Sequence, residues 1–103
     1  LKNVATKAKI SATNCENDTI QYLNDGFVVC HEYFKNKEFV SKGKTEITLE
    51  FDSPVAISAM MVYNTLDYEC AFTKIDAIQF ELAEVPSWLD KNMIRLRRVI
   101  SKT

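Results

Sequence analysis

The sequence predicts an all-β fold, a mostly antiparallel β-sandwich with two layers, on three observations. Several short apolar runs are separated by turn-forming residues, which is typical of all-β domains. One of these runs alternates strictly between apolar and polar residues, the pattern of a strand with one buried face. The chain has 103 residues, 47% of them hydrophobic, so we expect residues 1–103 to form a single domain with one modest core.

The N-terminal part of the chain predicts short and irregular elements. Val4–Thr13 has a weak period-two pattern, which indicates a strand. Thr19–Leu23 predicts a short helical turn, with Asp18 as its N-cap. Residues 24–26 read Asn-Asp-Gly, a strong turn signal, and residues 27–34 are strand-like.

The middle of the chain predicts three strands. In Thr45–Phe51 the odd-numbered positions from 47 onward are apolar and the even-numbered ones polar, so one face is buried. Residues 52–54, Asp-Ser-Pro, form a turn because proline cannot donate to a ladder. Val55–Tyr63 is apolar on both faces in its second half, as in a central strand. Ala77–Leu82 alternates again, and a bulge is expected near Asp76.

The C-terminal tail, residues 85–103, fits two patterns. Its apolar residues follow helical spacing up to Ile100, with Pro86 near the start. Residues 94–97, however, alternate as in a strand. We expect a short helix before Met93 and a strand after it.

Composition and charge exclude several classes of function. The net charge of −1 and the pI near 5.8 provide no field that would attract nucleic acid. Two glycines are too few for a nucleotide-binding loop. The single histidine, His31, rules out a site with several histidines, and Lys35 stands where a zinc-protease motif needs its second one. The longest uncharged stretch has 14 residues and is too short to span a bilayer. We therefore expect no enzyme, no nucleic-acid partner and no membrane span.

The three cysteines are Cys15, Cys30 and Cys70, and an odd number excludes a fully paired disulfide framework. One disulfide with a free thiol and three thiols both remain open, and we expect the thiols to pack as small hydrophobic groups. Cys30 and His31 are adjacent, so on a strand they point to opposite faces and cannot form a catalytic dyad.

Two tyrosines suggest sugar recognition. Tyr33 and Tyr68 lie among polar residues in or next to predicted loops. Aromatic rings stack on the C–H faces of sugars while polar neighbours bind the hydroxyls. The alternative is that these rings cover the edges of the core.

Residues 43–64 resemble the centre of galactose-binding-like (discoidin, or coagulation factor 5/8 type C) jelly-roll domains. The run reads GKTEITLEFDSPVAISAMMVYN, with the family's spacing of apolar residues, proline and tyrosine across two strands. Residues 3–5 and 9–12 are similar to the family's opening strand, and Leu23–Gly26 is similar to its Asp-Gly turn. Residues 75–82 match a later strand, so the resemblance covers roughly residues 3–83.

This resemblance implies a jelly roll that serves as a non-catalytic carbohydrate-binding module. Such an accessory module would belong to a larger secreted or surface bacterial protein, in an extracellular or cell-surface location. The implied ligand contacts are His31, Tyr33, Asn64 and Tyr68, from loops at one end of the sandwich. The family also implies a structural calcium ion, which Asp25 would help to hold.

A second class of function is a structural or protein-interaction domain that packs against a neighbouring domain of the same polypeptide. The apolar, basic tail favours this alternative, and an exposed apolar patch of several hundred Å² would support it. The cluster Arg95, Arg97 and Arg98 is expected to be solvated or to cap an element.

Overall fold

A computed structural model describes residues 2–26, 38–65, 70–81 and 92–101, with the backbone alone for residues 97–101. Strands predominate in these residues, and the helices are two short 3-10 helices, Ala5–Lys7 and Asn17–Tyr22. The strands are β1 (Lys2–Asn3), β2 (Lys9–Ala12), β3 (Phe39–Ser41), β4 (Ile47–Glu50), β5 (Ala59–Asn64) and β6 (Asn92–Ser101). The prediction of a β-rich fold is confirmed. No helix in the described ranges is long and apolar enough to cross a membrane.

Within the described residues the larger sheet has four strands, and β6 pairs with the other three. Strand β1 pairs with the start of β6, and β3 pairs with its end, where Phe39 lies opposite Val99. Strand β5 pairs along most of β6, from Ala59 opposite Met93 onward, with an irregularity after Val62. Because Met93 and Val99 each have two partners, β5 occupies one edge of β6, and β1 and β3 share the other.

All three pairings of this sheet are parallel, so the predicted antiparallel arrangement is wrong here. The burial of β6 explains the difference. Met93, Ile94 and Leu96 are all buried, although they alternate between the two faces of the strand. A strand buried on both faces is typical of parallel sheets. We predicted this central role for Val55–Tyr63, whereas β5 is only half-buried and exposes Met61.

The smaller sheet pairs β2 with β4, and this pair is antiparallel as predicted. Ile10 lies opposite Leu49, and Ala12 lies opposite Ile47. The alternation predicted from the sequence is present in β4, where Ile47 and Leu49 are half-buried and the intervening residues are exposed. The apolar face of this sheet therefore points towards the larger sheet.

The core lies between the two sheets and has two clusters. One cluster is built on Val4, Ala5, Ile94 and Leu96, and the other on Cys15, Leu23 and Phe39. Ile10 of the smaller sheet and Val62 of the larger one pack against both clusters. Residues of both sheets therefore contribute to the same core.

The N-terminal elements are shorter than predicted. The 3-10 helix Ala5–Lys7 interrupts the strand predicted for Val4–Thr13. The helical turn predicted for Thr19–Leu23 is present as the 3-10 helix Asn17–Tyr22. Its N-cap is Glu16 instead of Asp18, and the Thr19 hydroxyl donates a hydrogen bond of 2.7 Å to the Glu16 carbonyl.

Two C-terminal predictions have opposite outcomes. The strand expected after Met93 is confirmed as part of β6. Residues 77–81 form no strand, so the strand predicted for Ala77–Leu82 is absent from the described part of that range. Alternation alone does not make a strand, because a strand also needs a hydrogen-bonding neighbour. The strand predicted for residues 27–34 and the helix expected before Met93 lie outside the described residues.

Candidate functional site

The side-chain amide of Asn64, at the end of β5, binds the backbone of the segment that follows. Its Nδ2 donates to the Phe72 carbonyl at 2.8 Å, and its Oδ1 accepts from the Phe72 N–H at 3.1 Å. The Thr65 N–H also donates to Oδ1, at 3.0 Å. The amide thereby makes the hydrogen bonds to Phe72 that a neighbouring strand would otherwise make. The Phe72 ring packs against the core cluster of Cys15, Leu23 and Phe39.

Two lysines bind one carboxylate, that of Asp76, which lies four residues after Phe72. The Asp76 carboxylate lies 3.3 Å from the Lys74 ammonium and 3.4 Å from that of Lys44. Hydrogen bonds from Lys74 and then Lys44 lower the pKa of Asp76, and their positive charges add to the effect. Lys44 precedes β4, so this ion pair connects residues 74–76 to the smaller sheet.

Beyond these contacts the chain exposes large apolar side chains. Ile75 is 50%, Ile78 51% and Phe80 55% exposed, and the residues around them are exposed as well. We call residues 75–81 the exposed apolar segment. It lies outside every strand of the described ranges. Several large exposed apolar side chains close together in sequence are typical of an interaction surface.

A small depression lies at the turn that follows β4. Its volume is about 190 Å³, and it is lined by Lys7, Phe51, Asp52, Ser53 and Val55. The lining combines an aromatic ring with an ammonium group, a carboxylate and a hydroxyl. Sites for drug-sized ligands occupy roughly 300–1,000 Å³, so this depression suits a group no larger than one sugar ring.

Of the predicted ligand contacts, the structure describes Asn64 alone. His31, Tyr33 and Tyr68 lie outside the described residues. The amide of Asn64 makes the backbone hydrogen bonds described above, which leave one Nδ2 hydrogen for any further acceptor. Sequence reasoning could not find this role, because an amide that binds backbone and one that binds a ligand look alike in a sequence.

Asp25, the predicted calcium ligand, is half-buried in the turn 24–26. Gly26 takes the positive φ of 88° that this turn needs, and the Asn24 amide donates to the Ala5 and Ala8 carbonyls. Across the described ranges, no three histidine, cysteine, aspartate or glutamate side chains are grouped as metal ligands would be. The turn is held by backbone acceptors, and the calcium ion stays a prediction.

Cys15 is a buried thiol and has no disulfide partner. Its Sγ lies 3.8 Å from the Ala12 carbonyl and 3.7 Å from Asn17 Oδ1. Burial raises the pKa of this thiol, and the positive charge of Lys42 opposes the shift. A thiol that stays protonated is a poor nucleophile, so the packing role predicted for the cysteines is confirmed at Cys15.

Arg95 is a residue whose position the sequence analysis missed. We expected it to be solvated or to cap an element, but it is half-buried on β6, the central strand of the larger sheet. Its guanidinium carbon lies 5.8 Å from the centroid of the Tyr63 ring, and its Nη2 lies 3.9 Å from the Met61 sulfur. The alternation of residues 94–97 was the available signal, since it places Arg95 opposite Ile94 and Leu96 on a strand.

No family model, no curated protein and no solved structure matches this chain. The class of protein is therefore defined by the chain's own features. It is a β-rich protein with an exposed apolar segment, a small depression lined by both polar and apolar groups, and a half-buried arginine.

Proposed function

We propose that this chain is a non-catalytic protein-interaction domain that receives a β-strand from a neighbouring domain of the same polypeptide. The observation that carries the proposal is the exposed apolar segment, in which Ile75, Ile78 and Phe80 are each at least half exposed. Burying apolar surface stabilises a complex by about 25 cal/mol for each Å² removed from water. An incoming strand would also supply backbone hydrogen-bond partners, as in β-strand addition.

The contacts at the start of the segment support this proposal. The Asn64 amide positions Phe72, and the two lysine ion pairs position Asp76. The start of the segment is therefore already ordered before a partner binds, which lowers the conformational entropy lost on binding. Ile78 and Phe80 are two residues apart, so both would point to the same side once the segment pairs as a strand.

Hydrogen exchange can test this proposal by comparing the isolated chain with the parent polypeptide. We expect the amides of residues 77–81 to exchange at least about tenfold more slowly in the parent, because a ladder then protects them. Phe80→Glu in the parent should restore fast exchange. Gln79→Lys is the matched control, since Gln79 would point away from the apolar side.

Equal exchange in both contexts would contradict the proposal. Protection that rises with the concentration of the isolated chain would also contradict it, because a second copy would then be the partner.

A glycan is the second candidate ligand, and the depression beside Phe51 favours it. Its ring, ammonium, carboxylate and hydroxyl are the groups that recognise a sugar. This candidate agrees with the resemblance to galactose-binding-like domains and would place the protein outside the cell or on its surface. The resemblance implies a jelly roll, which is built from antiparallel strands; the β2–β4 pair is antiparallel, whereas the pairings of the larger sheet are parallel.

Binding to a glycan array, followed by variants of the depression, tests this candidate. Lys7→Ala and Ser53→Ala remove exposed lining groups without touching the buried core, and Lys9→Ala is the control on the exposed face of β2. We expect the first two variants, and not the third, to weaken binding. If Tyr68→Ala removes binding and the lining variants do not, the site lies at the predicted loop instead. The absence of binding to any glycan would exclude the candidate.

A further inference from the structure

One face of the larger sheet carries a charged group among apolar ones. Met61 lies opposite Arg95 in the register of β5 and β6, and Ala59 lies opposite Met93. Side chains alternate along a strand, so these four share one face, and the Tyr63 ring joins them through its contact with Arg95. We call this set the Arg95 face. The opposite face packs into the core through residues that include Ile94 and Leu96.

The guanidinium group of Arg95 is poorly satisfied. Its Nε is buried and has no hydrogen-bond partner. Its Nη2 contacts the Met61 sulfur at 3.9 Å, and a thioether is a weak acceptor. The ion pairs found in the described ranges join Asp76 to Lys44 and Lys74, so Arg95 has no carboxylate partner there. The exposed Nη2 side of the guanidinium is therefore open to a stronger acceptor than the Met61 sulfur.

We propose that the Arg95 face binds an acidic side chain of a protein ligand, with apolar residues of that ligand on either side. The planar guanidinium presents its N–H groups in a fork that matches a carboxylate. Met61 is 39% exposed next to this fork and offers a flexible apolar contact.

The surroundings of Arg95 favour an acidic peptide over an acidic sugar. Tyr63 offers one hydroxyl on this face, whereas Ala59, Met61 and Met93 carry no hydroxyl, amide or carboxylate group. A sugar acid could pair its carboxylate with Arg95, but its hydroxyls would lose hydrogen bonds to water and find few partners on this face. A peptide needs one charged contact and apolar contacts beside it, which are the groups that this face provides.

This inference is independent of the strand addition proposed above. It uses residues of β5 and β6, whereas the strand addition uses residues 75–81. Either interaction can therefore be present without the other.

Two synthetic peptides, acetyl-Leu-Glu-Leu-amide and acetyl-Leu-Gln-Leu-amide, test the inference by NMR titration of the full chain. The methyl group of the exposed Met61 and the Nε–H of Arg95 report on the face directly, and the methyl group of Met93, which is 4% exposed, reports on the packing beside them. We expect the Glu peptide to shift all three signals, with a dissociation constant on the order of 1 mM. The Gln peptide has nearly the same shape without the charge, and we expect it to bind about tenfold more weakly.

Variants separate the charge from the packing. Arg95→Met keeps an apolar side chain of comparable length, and with it both peptides should bind equally weakly. Arg95→Lys keeps the charge but loses the fork, and it should weaken the Glu peptide several-fold. Lys74→Met removes one positive charge outside the face and should leave the difference between the peptides unchanged.

Three results would overturn the inference. They are equal binding of both peptides to the unmodified chain, an unchanged preference for the Glu peptide in Arg95→Met, and shifts of the Met61 and Arg95 signals with sodium glucuronate but with neither peptide. The spectrum of each variant shows whether it is folded, and Arg95→Lys keeps the test decisive if Arg95→Met does not fold.

Discussion

Single side chains act here by binding backbone that lacks a strand neighbour. The Asn64 amide holds Phe72, the Asn24 amide holds the 3-10 helix Ala5–Lys7, and Asn14 Nδ2 donates to the Lys42 and Lys44 carbonyls. Asn14 itself has a positive φ of 48°, a conformation that asparagine tolerates better than most residues. Asparagine side chains thus stabilise backbone that glycine-rich turns and longer strands stabilise in other proteins.

Asn64→Ala should lower the free energy of unfolding by about 1–3 kcal/mol, because it removes the side-chain hydrogen bonds to the backbone of Thr65 and Phe72. Urea denaturation measures this change, and the Phe72 amide should exchange faster in the variant. Gln79→Ala, at an exposed position, is the control. An unchanged stability together with lost sugar binding would instead identify Asn64 as the ligand contact that the sequence predicts.

Cys15 should be alkylated more slowly than an exposed thiol at neutral pH, because burial raises its pKa above the usual thiol value of 9.0. The same rise in the pKa makes the stability of the fold depend on pH. The folded state keeps this proton where the unfolded state loses it, so the stability contribution is complete below pH 9.0 and falls as the pH rises above it. Mass spectrometry after iodoacetamide treatment locates the modified residue. Rapid alkylation of Cys15 at pH 7 in the folded chain would contradict this expectation.

At the scale of elements, the exposed apolar segment alternates like a strand, but it pairs with no strand in the described ranges. The Asn64 amide binds Phe72 before the segment, and Asp76 within it pairs with two lysines, so polar contacts and not its apolar side chains connect the segment to the rest of the described chain. Its alternating residues are accordingly available to a partner.

Protonation of Asp76 should release the start of this segment. The lysines lower its pKa, so the ion pairs contribute fully above the ordinary value of 3.8 and lose their effect as the pH falls below that value. Hydrogen exchange at residues 74–78 should therefore speed up in acid and in Asp76→Asn at neutral pH. Asp52→Asn, at another exposed position, is the control. Equal exchange in Asp76→Asn and the unmodified chain would show that the ion pairs do not hold the segment.

At the scale of the whole molecule, local patterns predicted elements better than they predicted pairing. Strand β4 with its two faces, the turn 52–54 and the strand after Met93 follow from residues close in sequence. The parallel sheet depends on β6 meeting strands far away in the chain, and period-two alternation does not specify the direction of a neighbour.

The candidate site was less predictable for the same reason. The surroundings of Arg95 come from two strands that are distant in sequence, since Met61 on β5 lies 34 positions before Arg95 on β6. The role of Asn64 depends on where Phe72 lies, which no local pattern contains.

Leu96→Ala should be among the most destabilising single changes, because Leu96 is 1% exposed on the strand to which the whole larger sheet is attached. Truncating a leucine in a core costs about 2–5 kcal/mol. Met61→Ala, on the same sheet but exposed, should cost much less. Urea denaturation of both variants measures the difference, and similar losses would contradict the central position of β6.

The position of β6 also sets the order in which the protein can acquire its structure during synthesis. Among the described residues, strands β1, β3 and β5 pair with residues 92–101, so they leave the ribosome before that partner exists. The antiparallel β2–β4 pair needs nothing beyond Glu50 and can form first. The nascent chain therefore carries apolar strands without a sheet until the last strand emerges, and during that interval it depends most on protection from aggregation.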